Sequence, residues 1–410
     1  MLNKKLVLEL AKKHDSFYLY DEKVIVENTE RLKHDFKHVD FLYSIKTNSH
    51  PLVVKSVLLQ GFGVDAASVA EVMLGKQNGV AKKKIQYSAP GKTKKDIEQT
   101  IDVSTIIADS LNEIMLIQQV AQEKNMVADI GIRINPNFSF YGEDAIPSKF
   151  GIDEQLLFEV IPQLKQLKNM KVVGLHIHLR SQELNASVLE KYYSNMVILA
   201  ENFQKAIGQP LTFLNMGSGI GIPFSAEDTP LDTVYLGAAT AKMMSQFRLR
   251  FPNLNVYIET GRYVVGKSGF YVTKVLDKKV SCGKTFLILK NTLNGFIRPS
   301  LAQLVMSYTE QKKPFASEPL FTCANPFELI ALSDAAETEE VTLVGNLCTA
   351  ADVVAKDIVL PKLQCQDVIV FTNAGSYAAV LSPMQFSSQE QPAQIFLSCK
   401  QGVINIDDAE

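Results

Sequence analysis

A few side chains in this sequence have types and settings suited to chemistry on a carbonyl compound: Lys46, Asp65, Arg133, His178, Glu259 and Arg262. Lys46 closes the run Phe41-Leu42-Tyr43-Ser44-Ile45, where an apolar wall is expected to disfavour the charged amine and lower its pKa. A neutral amine there can form a Schiff base with a carbonyl compound. Asp65, after Gly63-Val64, could serve this chemistry, but capping the next helix is the commoner role for Asp at that place. Arg133 alternates with apolar neighbours in Ile130-Gly131-Ile132-Arg133-Ile134, which also suits half of a structural ion pair. His176 and His178 stand two apart and so share one side of a strand. That spacing fits a metal pair lacking a clear third ligand, or a ring stacked on an aromatic cofactor. Gly217-Ser218-Gly219-Ile220-Gly221 is either a tight turn or a cradle of backbone N–H groups for a phosphate. Glu259 and Arg262, three apart, either pair with each other or serve a ring nitrogen and a phosphate dianion. An amine, a phosphate site and an anionic partner for a pyridine nitrogen together point to pyridoxal phosphate.

Positioning these groups requires a regular scaffold. Strand-like runs fall near 41–46, 61–65, 84–88, 105–109, 127–135, 171–179, 212–217 and 255–260, with amphipathic helical stretches at 53–60, 111–123 and 231–251. Strand–helix units in this number and length predict a (β/α)8 barrel, whose sites lie at the C-terminal strand ends. An open doubly wound sheet is the alternative, but its glycine-rich turn after the first strand is missing. After about residue 265 the texture changes to short β runs (269–275, 284–289, 340–344, 367–371) with few helices signalled. The expected organisation is a barrel over 28–264 and an all-β domain from 1–27 and 265–410, completed by the strand near 16–21.

The 410 residues, 46% hydrophobic and 21% charged, are enough for two domains with sizeable cores. A formal net charge of −2 gives no reason to expect nucleic acid or an anionic membrane as partner. No apolar run is long enough to span a membrane, and Met1-Leu2-Asn3-Lys4-Lys5 leads into a charged helix unlike a signal peptide. Cys282, Cys323, Cys348, Cys365 and Cys399 lack paired metal-type spacing, so reduced cytoplasmic thiols and no metal are expected.

Beyond these residues, the chain resembles the fold-type III pyridoxal-phosphate decarboxylases, which include diaminopimelate and ornithine decarboxylases and share their barrel with alanine racemase. The likeness runs in order over nearly the whole sequence: Tyr43-Ser44-Ile45-Lys46-Thr47-Asn48, Asp65-Ala66-Ala67-Ser68 with Glu71, Pro90-Gly91-Lys92-Thr93, Ser148-Lys149-Phe150-Gly151, His178 and Ser181. It continues through the glycine run, where Ser218 replaces a usual glycine, then Glu259-Thr260-Gly261-Arg262, Gly345-Asn346-Leu347-Cys348-Thr349 and Gly375-Ser376-Tyr377. The resemblance implies that Lys46, Asp65, Arg133, His178, Ser181, Gly217, Ser218, Gly219, Glu259, Gly261, Arg262 and Tyr377 hold pyridoxal 5'-phosphate. Lys46 would carry it, His178 would stack on its ring, and Glu259 would keep the ring nitrogen protonated. Cys348 of a second subunit would protonate Cα after CO2 leaves, so a homodimer with shared active sites is implied.

Departures from the family pattern bear on substrate. Arg298 in Gly295-Phe296-Ile297-Arg298-Pro299 resembles the motif for a substrate carboxylate, but Ala302 replaces its closing tyrosine. Arg180 stands where a glycine usually follows the stacking histidine, and Thr349 replaces the acid that recognises a distal amine. The expected substrate is therefore an amino acid or carboxylate-bearing conjugate of specialised, siderophore- or antibiotic-type biosynthesis, contacted by Arg298, Cys348, Thr349 and Arg180. A racemase on the same scaffold is the second reading, and a non-catalytic cofactor-binding protein the third.

Overall fold

The computed structural model describes residues 2–142, 144–224, 227–308, 318–323 and 327–398, and the backbone alone of 404–407. The chain enters through strand β1 (Ser16–Asp21) and then builds the barrel from β2 (Asp40–Ser44), β3 (Gly63–Ala66), β4 (Ile85–Tyr87), β5 (Thr105–Ala108) and β6 (Ala128–Asn135). A short β7 (Ile152–Asp153) adds to the edge of β6, and β8 (Met170–His176), β9 (Phe213–Asn215) and β10 (Asn255–Thr260) complete the ring. All barrel neighbours pair in parallel, and β10 closes on β2 with Ile258 opposite Phe41. Each barrel strand read from the sequence is present, shifted at its ends by a few residues at most. The helices at Pro51–Leu59, Leu111–Glu123 and Thr233–Arg250 likewise lie where periodicity predicts them.

Local signals explain the punctuation. Ser110 accepts from the Glu113 amide at 3.2 Å and starts one helix, while Thr93 and Asp96 form a reciprocal cap on the helix Lys94–Thr100. Inside the barrel, Leu42, Ile107, Val173, Phe213 and Tyr257 form a separate apolar cluster. Phe213 plugs the lumen: a Cβ on Gly174 would come within 2.3 Å of its ring, and one on Gly131 within 2.7 Å. The period of two along a strand then sets the next layer. Two residues beyond Leu42, Phe213 and Tyr257 stand Ser44, Asn215 and Glu259, so an apolar floor gives way directly to a polar chamber at the C-terminal strand ends.

The second domain is mostly sheet. Its long strand β11 (Gly269–Ser281) pairs antiparallel with β1, with β12 (Lys284–Leu289) and, through the Tyr271–Lys274 stretch, with β16 (Val368–Phe371). Strands β13 (Leu329–Leu332), β14 (Thr338–Gly345), β15 (Val353–Pro361), β17 (Ala393–Leu397) and β18 (Ile404–Asp407) extend it. β1 lies between β11 and a parallel β17, with Phe17 opposite both Val272 and Ala393, so the first strand does complete this domain. One element departs from the reading of this region as poor in helices. Ile297–Tyr308 is helical and buries the polar Arg298 and Ser300 beside Pro299 and Ala302, while Tyr308 is 84% exposed. A helix whose buried face mixes polar with apolar residues gives periodicity little to find. Among the described residues no helix is long and apolar enough to cross a membrane.

Candidate active site

At the end of β2 the chain turns into a single 3-10 turn, Ile45–Thr47, which lifts Lys46 over the chamber with its side chain 41% exposed. Its Nζ donates to Asp65 Oδ2 at 3.0 Å. Asp65 is fully buried in β3 and also accepts from Ser44 Oγ at 2.8 Å and from Ser88 Oγ at 2.5 Å. The helix after it is capped by Ser68 instead, so Asp65 belongs to the chamber and not to a helix terminus. This carboxylate changes the expected behaviour of the lysine. Burial does pull the Lys46 pKa down, but Asp65, Glu259 and Tyr377 outweigh it and raise the amine above the ordinary lysine value. The apolar wall expected to neutralise Lys46 is instead a ring of anionic and phenolic groups. Asp65→Asn is therefore expected to let Lys46 lose its proton at lower pH. Uptake of pyridoxal phosphate by cofactor-stripped protein, followed by absorbance, should quicken near neutral pH by about tenfold per unit of lowered pKa. An unchanged or slower uptake would contradict this role.

Glu259, 2% exposed in β10, gathers the other half of the chamber. Its Oε1 accepts from Asn215 Nδ2 at 2.9 Å and lies 2.9 Å from His176 Nε2, while Oε2 is 3.9 Å from His178 Nδ1. Burial raises its pKa, but His176, Lys46 and His178 more than offset this and keep the carboxyl well below the usual range. The two histidines thus converge on a carboxylate, and among the described residues no group of three or more metal-ligating side chains forms. Burial pushes the His178 pKa down to about 3, and its Nδ1 accepts from the Ser218 amide at 2.9 Å. The imidazole is neutral, with its proton on Nε2.

Asn215 is a residue that the sequence reading missed. Fully buried, it donates to Gln86 Oε1 at 2.7 Å and to Glu259, and its Oδ1 accepts from the Gly217 amide at 2.9 Å. It ties the carboxylate to the start of the glycine run. The signal available was a lone amide side chain ending an apolar strand just ahead of that run. Gly217 has φ +63°, and a Cβ there would come within 2.2 Å of the Ile177 carbonyl oxygen. With the Ser218 amide given to His178, the Gly219 and Ile220 amides have no acceptor among the described residues.

An anionic group is also invited by two arginines. Gly261 packs so closely on Thr47 that a Cβ would fall 2.3 Å from Thr47 Cγ2, and the backbone then turns into the helix Arg262–Val265. That turn separates Arg262 from Glu259, so the local ion pair does not form. Arg262 is 5% exposed, ion-paired through Nη2 to Glu318, and sits over the rings of Phe224 and Tyr377. Its Nη1 is buried with no hydrogen-bond partner among the described residues. Arg298, 1% exposed, lies over the other side of the same cluster, 5.4 Å from the Phe224 ring, and donates to Thr322 Oγ1 at 2.5 Å. Burial and Arg262 lower its pKa to about 9. Tyr377, held at φ +52° by a 2.8 Å bond from its amide to the Thr47 carbonyl, joins this region to Lys46. An orphaned guanidinium nitrogen, two unused amides and a glycine that admits no Cβ together fit a phosphate.

The remaining expected residues are placed less centrally. Arg133 has Nη1 3.8 Å from Asp109, donates to the His178 carbonyl at 3.2 Å and stacks 4.4 Å over Phe150. Ser181 is half-buried, and Arg180 is exposed, 4.9 Å over the Tyr141 ring. Cys348 is exposed in the β14–β15 loop, with Sγ 3.6 Å from Ser387 Oγ, and the half-buried Thr349 accepts from the Ala351 amide at 3.3 Å. Cys399 lies outside the described residues.

The sequence profile described as "Pyridoxal-dependent decarboxylase, pyridoxal binding domain" matches residues 22–266, well over half of the chain. The chain belongs to the pyridoxal-dependent decarboxylase family. Among curated relatives, the L-glutamyl-(BtrI acyl-carrier protein) decarboxylase of Niallia circulans is 29% identical over 95% of this chain and 90% of its own. The diaminopimelate decarboxylase of Archaeoglobus fulgidus is 27% identical over 93% and 87%. Of solved structures, the Helicobacter pylori diaminopimelate decarboxylase complexed with L-lysine aligns with a TM-score of 0.81 at 25% identity, over 97% of this chain and 95% of its own. This decarboxylase is an enzyme that uses pyridoxal phosphate to remove the carboxylate of an amino-acid-type substrate.

Proposed function

We propose that this decarboxylase acts on an amino acid held as a conjugate, of the carrier-tethered kind, in preference to a free diamino acid. The observation that carries the reading is Thr349. Where related enzymes use an acid for a distal amine, this loop offers a neutral hydroxyl turned onto its own backbone at Ala351. The identity to a decarboxylase named for a glutamyl carrier-protein substrate supports the same reading. Arg180, exposed beyond His178, offers a cation to the polar arm of such a conjugate.

When bound, pyridoxal phosphate supplies a sink for the electron pair released as the Cα–carboxylate bond breaks. Asp65 and Glu259 hold the free Lys46 amine protonated; once it yields that proton Lys46 would carry the cofactor, and it would later release the product amine. Ionised Glu259 would hold a proton on the ring nitrogen, and the neutral face of His178 would pack on the ring. The Gly219 and Ile220 amides and Arg262 Nη1 would take the phosphate oxygens. Cys348, exposed on its own subunit, would enter the site of a partner and protonate Cα, which requires a homodimer.

Incubation in heavy water with free glutamate, free diaminopimelate and their carrier-linked forms, read by mass spectrometry, tests this. Loss of CO2 with one deuterium at Cα is expected from a carrier-linked form. Fastest turnover of free diaminopimelate would overturn the proposal, and deuterium at Cα with the carboxylate retained would indicate racemisation.

A further inference from the structure

Two buried arginines, Arg262 and Arg298, share the Phe224 ring at 5.5 and 5.4 Å. Among the described residues the ion pair of this cluster is the one between Arg262 and Glu318, which leaves more positive than negative charge around the ring. Both sides of that pair are incompletely used. Arg262 Nη1 and Glu318 Oε1 are buried without a hydrogen-bond partner among the described residues, and so is Arg298 Nε. Glu318 belongs to a turn, is separated from Arg262 by 56 residues of chain, and has its side chain 25% exposed, against 5% for Arg262. Glu318, the more exposed of the two and carried by a turn, is the member of the pair better placed to be displaced.

A buried guanidinium left alone is costly, because desolvation is then uncompensated. A carboxylate offers one negative charge and a phosphate about two, with three acceptor oxygens instead of two. A dianion arriving at Arg262 can therefore engage Nη1 and Nη2 together and neutralise both arginines, which Glu318 alone does not. We infer that Glu318 is a built-in counter-ion that occupies the phosphate arginine of the cofactor-free enzyme and must be displaced when the phosphate binds. It sets the affinity for the cofactor without touching the reacting atoms. The inference is independent of which amino-acid conjugate is the substrate, and rests only on Arg262 as the phosphate anchor.

The test uses cofactor-stripped full-length protein titrated with inorganic phosphate by calorimetry, and separately with pyridoxal phosphate by absorbance. Glu318→Gln, which removes the competing charge while keeping size and polarity, is expected to tighten both affinities by about tenfold. Glu318→Ala should shift them in the same direction. Unchanged or weaker phosphate binding in both variants would overturn the inference, since it would make Glu318 a support for Arg262 and not a competitor. Arg262→Gln separates the two failures. If it loses phosphate binding while the Glu318 variants do not gain it, only the counter-ion role falls. If Arg262→Gln binds phosphate normally, the anchor assignment falls and the inference with it.

Discussion

Glu259→Gln is expected to lower kcat by about 10²–10³-fold while leaving KM within a small factor. The glutamine keeps the volume and one carbonyl oxygen, so the 2.9 Å bond from Asn215 Nδ2 can persist. What it removes is the negative charge, which the wild-type chamber keeps ionised through His176 and Lys46 despite burial. A neutral amide cannot hold a proton on a ring nitrogen, so the loss falls on the step in which charge develops, not on ground-state binding. Glu259→Asp should recover part of the rate. A merely structural carboxylate would instead show a lowered melting temperature with kcat nearly intact, and a kcat within threefold of wild type would refute the electrostatic role. His178 gives the same experiment a pH axis. With its pKa near 3, it contributes no titration between pH 5 and 8, so the Glu259→Gln defect should be flat with pH across that window.

The parts of this site legible in the sequence are those fixed by a single strand. A period of two with an abrupt polar end marks Lys46, His178 and Glu259, and the barrel follows from repeating that unit. Partners contributed by other strands were not legible. Asp65 reads locally as a helix cap, and only the closed ring brings Ser44, Lys46 and Ser88 onto it. That convergence, absent from any local pattern, reverses the expected direction of the Lys46 shift. The Glu259–Arg262 spacing left two readings open, and contact between Gly261 and Thr47, which turns the chain away before the arginine, removes the local ion pair. The surroundings of Arg298 could not be read from its motif: it is 1% exposed, 5.4 Å from the Phe224 ring and 5.1 Å from the Phe327 ring, which the chain brings from both sides of it in sequence.

Co-expression of Lys46→Ala and Cys348→Ala chains under separate tags gives the other large effect. Each parent alone should lose about 10²–10⁴-fold in rate, one for lack of the anchoring amine and the other for lack of the Cα proton donor. The two residues have different environments. Lys46 hangs over the barrel chamber, whereas Cys348 is exposed on a loop held by the buried Asp352, which accepts from Thr292 Oγ1 at 2.5 Å and from the Leu293 and Leu347 amides. Asn346 braces the same loop, donating to Gln389 Oε1 at 3.3 Å. A cysteine presented outward on so well-tied a loop suits delivery to a second copy of the chain. If it is delivered there, a mixed dimer has one site lacking both residues and one site lacking neither. Random assembly of two chains then restores about a quarter of wild-type activity, concentrated in the doubly tagged fraction. Were each site built from one chain, every site in the mixture would still lack one residue, and activity would not exceed the sum of the parents.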